Sequence, residues 1–162
     1  MATGGLLLLG LQPIAQATQG EAPPELRALL EGTWELEEWH HDGQILRPPQ
    51  VGGRWLNHDG VVTANFHRQS GGSFESFAGY GTYEITATTW AYTYRRTQMA
   101  SGSSPEDAAV TVRTGAPARS FTLTRQGATV VLEAPNDHRE YDAETFIYAP
   151  NGQVLRKYRK VR

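Results

Sequence analysis

The sequence predicts an all-β fold: an antiparallel up-and-down barrel of about 8–10 strands that follows one short helix. Its most informative feature is the triplet Gly32-Thr33-Trp34, which ends a helix-like segment at residues 24–31. Glycine permits the sharp turn out of the helix, and the indole is large enough to seal one end of a barrel. From residue 33 onward, β-branched and aromatic residues are separated by turn signals, and no gap is long enough for a crossover helix. A barrel sealed at one end is a cup that can hold one small molecule.

The predicted strands are short and lie close together along the chain. Asp59-Gly60 predicts a tight hairpin, and the Pro-Asn pairs at 135–136 and 150–151 predict two later turns. Residues 69–73 predict a flexible loop, and the Ser- and Gly-rich residues 101–107 predict a longer one, a candidate lid or rim. The predicted strands are residues 33–41, 53–57, 61–67, 80–86, 89–98, 109–113, 119–125, 129–133, 139–148 and 154–161.

The charge pattern gives a separate argument for a closed barrel. The segment from Glu21 to Asp42 is acidic, and the last ten residues contain five basic ones and no acid. In a closed up-and-down barrel the first and last strands are neighbours, so Glu35 and Glu37 are expected to face Lys157 and Arg159. The alternative interpretation of the basic end is a patch for an anionic polymer or a membrane surface.

Residues 1–24 are predicted to form a leader and linker, and residues 25–162 the barrel domain. The first twenty residues are uncharged and contain the apolar run Leu6 to Leu11, followed by the small-x-small pattern Ala15-Gln16-Ala17. The run is far shorter than the ~20 residues of a membrane span. A signal peptide, and hence a periplasmic or secreted protein, is the expectation. If the leader is only a disordered tail, the protein is cytoplasmic.

Composition excludes several classes of function. A net charge of −2 argues against a generally basic nucleic-acid binder, and the absence of cysteine removes disulfides, thiolate metal sites and cysteine nucleophiles. No phosphate-binding loop, dinucleotide fingerprint or serine-nucleophile motif is present, so no cofactor is predicted. The five histidines lack metal-ligand spacing, and His40 and His41 point to opposite faces of one strand, so no metal site is predicted. The oligomeric state stays open.

Three segments resemble a known family: Leu30 to Leu36, Gly53 to Thr63, and Phe77 to Ile85. They are similar to the bacterial lipocalin-like domain proteins of the calycin group, and the resemblance extends over residues 26–161. It implies a barrel with a pocket, in a family whose individual activities are mostly unassigned. In lipocalins an arginine near the end of the chain packs over the floor tryptophan, and Arg156 or Arg159 is expected in that role. The chain departs from true lipocalins at Glu35, and it lacks their Thr-Asp-Tyr block.

The leading functional hypothesis is binding of a small hydrophobic or aromatic molecule in the barrel cavity. Trp90, Tyr92 and Tyr94 recur with period two and therefore share one face of a strand. Such a stripe either fills a packed core or lines a pocket in which phenols orient a ligand. A fully packed barrel would instead be an interaction module. The candidate lining residues are Trp55, Phe66, Tyr80, Tyr83, Trp90, Tyr92 and Tyr94.

The alternative is an enzyme that uses the cavity for isomerisation, cyclisation or hydration of a small hydrophobic substrate. Its candidate residues are Tyr94, His67, Glu84 and Arg96, and the sequence favours the non-enzymatic hypothesis over it. If His67 and Glu84 point inward they form an acid/base pair, whereas alternation with apolar partners places both on the solvated outer face. Trp39 interrupts the alternation begun by Trp34, so it lies inward only if a β-bulge precedes it.

Overall fold

The structure, a computed structural model, describes residue 20 and residues 22–161. The predicted leader at residues 1–19 lies outside the described residues. The described part contains one helix, α1 (Pro24–Leu30), a 3₁₀ turn (Pro150–Gly152) and twelve strands. The strands are β1 (Gly32–His41), β2 (Gln44–Leu46), β3 (Val51–His58), β4 (Val61–Ser70), β5 (Ser73–Ile85), β6 (Thr89–Gly102), β7 (Ala109–Thr114), β8 (Arg119–Gln126), β9 (Thr129–Ala134), β10 (Asp137–Tyr141), β11 (Thr145–Tyr148) and β12 (Arg156–Val161).

Ten of these described strands form a closed antiparallel barrel. The ring runs β1-β3-β4-β5-β6-β8-β9-β10-β11-β12, and it closes because β12 pairs with β1. The two remaining strands are additions to the ring, β2 pairing with β1 and β7 with β6. This confirms the predicted all-β barrel with a short helix near its start.

The helix and Trp34 close one end of the barrel. Pro24 begins α1, where its missing N–H costs nothing, and Leu26 and Leu30 lie one turn apart on the buried face. The Trp34 side chain is fully buried, and its Nε1 donates a hydrogen bond to the Leu30 carbonyl oxygen at 3.4 Å. Its ring meets that of Tyr141 edge to face, with 5.3 Å between centroids. The indole therefore lies in the closed end, as the Gly-Thr-Trp triplet predicts.

The seam between β1 and β12 joins the acidic beginning of the domain to its basic end. Arg159 donates hydrogen bonds to Glu37 from Nε at 2.7 Å and to Glu35 from Nη2 at 3.4 Å, so the seam contacts predicted for Arg159 form, whereas Lys157 lies opposite Glu38. The register shifts by one residue at Glu37, a β-bulge that pairs Lys157 with Glu38. The bulge turns Trp39 inward, where it is 6% exposed, which resolves the alternative left open by the sequence.

Turn chemistry explains which hairpins the sequence predicts correctly. Asp59 and Gly60 both have positive φ, 50° and 76°, as the predicted tight hairpin requires. The flexible loop predicted at residues 69–73 is wrong. Ser70 pairs with Ser73, so only Gly71 and Gly72 form the turn. The loop predicted from residue 101 begins later, since β6 continues to Gly102.

The strand predicted at residues 139–148 is in fact two strands, β10 and β11. Asp142 makes the turn between them, because its Oδ1 accepts hydrogen bonds from the backbone N–H groups of Glu144 at 2.8 Å and Thr145 at 2.6 Å. Sequence reading missed this turn because it contains neither glycine nor proline.

Strand β6 changes partner along its length. Its first part pairs with β8 and its second part with β7, and Arg95 is an extra residue between Tyr94 and Arg96. Gly81 lies opposite this irregularity, where a Cβ atom would come within 1.8 Å of the Thr93 carbonyl oxygen. The close approach requires glycine, and it lets β5 bend around the barrel.

Candidate functional site

A cavity of about 590 Å³ occupies the half of the barrel away from α1. Trp34 is not in its wall, whereas Trp39, farther along β1, is. The volume exceeds the lower bound of about 300 Å³ for ligand pockets. The wall is predominantly aromatic, with three arginines, and the exposed side chains at its mouth include Met99 and Arg119. The inward wall residues are Trp39, Trp55, Phe66, Phe77, Tyr92, Tyr94, Arg139, Phe146, Tyr148, Arg156 and Tyr158.

Four of the seven predicted ligand-binding residues lie in this wall: Trp55, Phe66, Tyr92 and Tyr94. The rings of Trp55 and Tyr94 both contact that of Tyr92, with centroid distances of 5.8 Å and 5.2 Å, whereas the Phe66 ring stacks on Phe77 at 5.1 Å. The period-two stripe on β6 therefore faces the interior, and its upper part borders open space. Burial raises the pKa of Tyr94 well above its ordinary value, so its phenol stays protonated at neutral pH.

The other three predicted residues do not line the cavity. Trp90 is fully buried beneath it, with its ring centroid 4.8 Å from that of Tyr92. Tyr83 lies at the closed end, where its hydroxyl donates a hydrogen bond to Glu31 Oε1 at 2.6 Å. Tyr80 points outward and is 52% exposed, because inward positions on β5 fall at odd residue numbers.

The residues predicted for an enzyme are not brought together. His67, Glu84 and Arg96 are all exposed. His67 pairs with Ser76 and Glu84 belongs to the opposite end of β5, paired with Ala91, so the predicted acid/base pair does not form. Of the four candidates only Tyr94 reaches the cavity.

Sequence reading missed a buried ion pair beside the cavity, between Arg139 and Asp137 on β10. Asp137 accepts hydrogen bonds from Arg139 Nε at 3.1 Å and from Nη2 at 3.0 Å. Burial by itself lowers the pKa of Arg139, but Tyr92 and Asp137 outweigh it and raise that pKa above its ordinary value. The guanidinium carbon lies 4.6 Å from the ring centroid of Phe121 and 5.1 Å from that of Trp55. Arg139 is therefore a permanent cation set among aromatic rings.

Arg156 is a second inward arginine that the sequence assigned differently. It does not pack over Trp34, and neither does Arg159, which is on the outer surface. The cation over Trp34 is Lys160, with Nζ 4.8 Å from the ring centroid. The Arg156 guanidinium carbon instead lies 3.9 Å from the ring centroid of Phe66 and 4.3 Å from that of Trp39, both in the cavity wall.

A usable signal for these arginines was present in the strand alternation. Asp137, Arg139 and Tyr141 alternate with His138 and Glu140 along β10. Because Tyr141 is buried, Arg139, two residues earlier on the same strand, also points inward. On β12 the same logic holds, since the buried Tyr158 shares its face with Arg156. The inward tyrosine is thus the marker for an inward arginine two residues earlier.

The cavity's upper edge carries a second ion pair. Arg68 is 2% exposed on β4 and its Nη2 lies 3.1 Å from Glu75 Oε2, while Glu75 lines the mouth. The Arg68 guanidinium carbon lies 5.9 Å from the ring centroid of Trp39. The single carboxylate in the cavity lining is therefore already neutralised.

The described residues carry neither a metal cluster nor a membrane helix. Within residues 22–161, no three His, Asp or Glu side chains are grouped so as to hold a metal ion. In the same part of the chain, no helix has the length and apolar character needed to cross a membrane.

Comparison with family models, with curated proteins and with solved structures finds no match for this chain. The resemblance to the bacterial lipocalin-like family therefore stays a prediction. Function has to be inferred from the cavity and its side chains.

Proposed function

We propose that the protein binds a small hydrophobic or aromatic molecule in the cavity of its barrel, as a member of the bacterial lipocalin-like family. The observation that carries the proposal is the cavity of about 590 Å³ walled by aromatic side chains. A packed interaction module would have no such space. The family assignment is supported by the Gly32-Thr33-Trp34 triplet at the sealed end and by the closed antiparallel ring.

Apolar burial supplies the affinity in this proposal. Removing roughly 300 Å² of ligand surface from water contributes about 7 kcal/mol before the costs of ordering the ligand. The rings of Trp55 and Tyr94 are held against Tyr92, and that of Phe66 is held against Phe77, so these side chains lose little conformational freedom on binding. A dissociation constant of about 1–100 μM is expected for a generic apolar probe.

The enzyme hypothesis has weaker support. Three of its four candidate side chains, those of His67, Glu84 and Arg96, are exposed outside the cavity. The fourth, Tyr94, keeps its proton at neutral pH because burial raises its pKa. Binding without chemistry is the function that these positions favour.

Titration with the neutral dye N-phenylnaphthylamine tests the proposal. Saturable binding of one dye molecule with a blue-shifted emission is expected for the native protein. Ala116 lines the cavity mouth, so Ala116→Trp is expected to reduce dye binding by filling the space. Ala118→Trp is the matched control, since Ala118 is exposed and outside the cavity. Absence of saturable binding, or equal loss in both variants, would contradict the proposal.

We also infer export from the uncharged leader and its small-x-small pattern. Cleavage after Ala17 would give a mature chain that begins at Thr18. Intact mass measurement on the protein expressed with its leader in a bacterial host checks this. Recovery of only the uncleaved chain from the cytoplasm would contradict it.

A further inference from the structure

The cavity wall contains a buried cation that its own protein only partly satisfies. Arg139 is 2% exposed and lines the cavity. Asp137 and the Tyr92 hydroxyl accept hydrogen bonds from its Nε and Nη2. Its Nη1 is buried without a hydrogen-bond partner in the described part of the chain. Buried donors of charged groups are rarely left unpaired, so the unpaired Nη1 points to an acceptor supplied by a ligand.

The Tyr92 hydroxyl adds a second donor beside Arg139. It accepts one hydrogen bond from Arg139 Nη2 at 3.1 Å and one from Arg119 Nη1 at 3.2 Å. A phenol oxygen accepting two such bonds keeps its own hydrogen for donation. Because Tyr92 is in the cavity wall, that hydrogen is available to an acceptor within the cavity.

Arg156 supplies a second cation in the same space. Its Nε is buried without a hydrogen-bond partner, and no carboxylate of residues 22–161 forms an ion pair with it. The guanidinium carbons of Arg156 and Arg139 each lie 5.3 Å from the ring centroid of Tyr148. The two cations therefore adjoin the same ring and border the same part of the cavity.

The charge balance of this half of the barrel is positive. Four arginines lie in or beside the wall, Arg68, Arg119, Arg139 and Arg156, whereas of the described carboxylates only Glu75 and Asp137 pair with them. The whole chain carries a net charge of −2, so this excess is local to the interior. A low-dielectric, aromatic cavity with excess positive charge attracts an anion far more strongly than an exposed patch does.

We propose that the cavity's ligand is an organic carboxylate, an inference that rests on the proposed function. Its apolar body packs against Trp55, Phe66 and Tyr94, and its carboxylate lies between Arg139 and Arg156 beside the Tyr92 hydroxyl. The planar carboxylate matches guanidinium donors in geometry as well as charge. The aromatic walls select for the apolar body, so acetate alone binds weakly.

A matched pair of ligands tests this on the native protein. Naphthylacetate and naphthylethanol share a ring system and differ in the charge of the head group. Their affinities are measured by calorimetry and by displacement of N-phenylnaphthylamine. Naphthylacetate is expected to bind about 10–100-fold more tightly, the range for a hydrogen bond to a charged group. Equal affinities, or tighter binding of the alcohol, would overturn the inference while leaving the proposed function intact. If the dye itself fails to bind, the proposed function is what fails.

Substitution on β12 assigns the preference to Arg156. Arg156→Gln and Arg156→Met are expected to weaken naphthylacetate binding far more than naphthylethanol binding, so that most of the preference for naphthylacetate is lost. Arg159→Gln is the matched control, because Arg159 is on the same strand but faces outward to Glu35 and Glu37. Retention of the full preference in both Arg156 variants, or its equal loss in Arg159→Gln, would overturn the assignment of the carboxylate to Arg156.

Discussion

The two halves of the barrel differ in what fills them. At the closed end, the rings of Trp34 and Tyr141 pack edge to face, with 5.3 Å between their centroids. In the other half the rings surround open space, and the buried charges of the described residues, Arg68, Asp137 and Arg139, are all found there. The closed end is therefore built for stability, whereas the cavity half retains charges that a stable core does not need.

Deleting the plug at the closed end should have the largest effect on stability. Trp34→Ala is expected to reduce the free energy of unfolding by about 3–5 kcal/mol, because it removes a fully buried aromatic ring and leaves a cavity. Denaturant unfolding of the native protein and the variant measures this. A loss below about 1 kcal/mol would mean that the closed end does not depend on Trp34.

Breaking the buried ion pair should have the next largest effect. Asp137→Asn leaves the Arg139 cation buried without its counter-charge and is expected to cost about 2–3 kcal/mol. Arg139 then has an additional unpaired donor, so naphthylacetate should stabilise this variant more than it stabilises the native protein. Thermal unfolding with and without naphthylacetate checks both statements. An unchanged melting temperature without ligand would show that the pair contributes nothing to folding.

Removing Arg156 should separate ligand binding from stability, since binding changes and the free energy of unfolding does not. Arg156→Met replaces a cation that lacks a carboxylate partner with an apolar chain of similar length. It is expected to leave the free energy of unfolding unchanged within about 0.5 kcal/mol or to raise it by up to about 1 kcal/mol. Denaturant unfolding is the measurement. A loss above about 2 kcal/mol would show that Arg156 is needed for folding, contrary to the role assigned to it.

The smallest predicted effect is on the outer face of β10, at His138. Partial burial lowers the pKa of His138, but hydrogen bonds with Glu140 and Glu133 outweigh it and raise that pKa above its ordinary value. The charged ring therefore contributes stability that is fully present below a pH of about 6.5 and is lost as pH rises through the raised pKa. Solvent screening keeps this contribution below about 1 kcal/mol.

The variant His138→Gln isolates that contribution. The stability difference from the native protein should be largest near pH 5 and should shrink by pH 8, as measured by denaturant unfolding at each pH. The preference for naphthylacetate should not change, since His138 faces away from Arg139 on the same strand. A stability difference that grows with pH would contradict the assignment.

The sequence predicted the helix and the tryptophan plug of the closed end because local patterns determine them. Gly32-Thr33-Trp34 contains both the turn after the helix and the tryptophan that closes the barrel. Asp59-Gly60 has the positive φ angles that a tight hairpin turn needs. The position of Trp39 could not be predicted from local sequence. It points inward because of the bulge at Glu37, which forms in the pairing with β12.

The cavity was harder to predict because its defining residues break the usual rule that charges lie outside. Arg139 was predicted to begin one long strand at residues 139–148, because the turn at Asp142 was not recognised. Tyr80 and Tyr83 are three residues apart on β5, so they point to opposite faces of the strand. Strand alternation alone therefore shows that only one of the two can face the cavity. The aromatic residues of one strand line a cavity or fill a core depending on the side chains of the strands opposite. A local sequence pattern carries no information about those strands.

The indole N–H signals of the four tryptophans can show where the dye binds, because two of these side chains lie in the cavity wall and two in the packed half. The measurement is a proton–nitrogen correlation spectrum during titration with N-phenylnaphthylamine. Large shifts are expected for Trp39 and Trp55, a small one for Trp90, and none for Trp34. Unchanged signals at saturating dye, or a shift of Trp34 without shifts of Trp39 and Trp55, would show that the dye does not occupy the cavity.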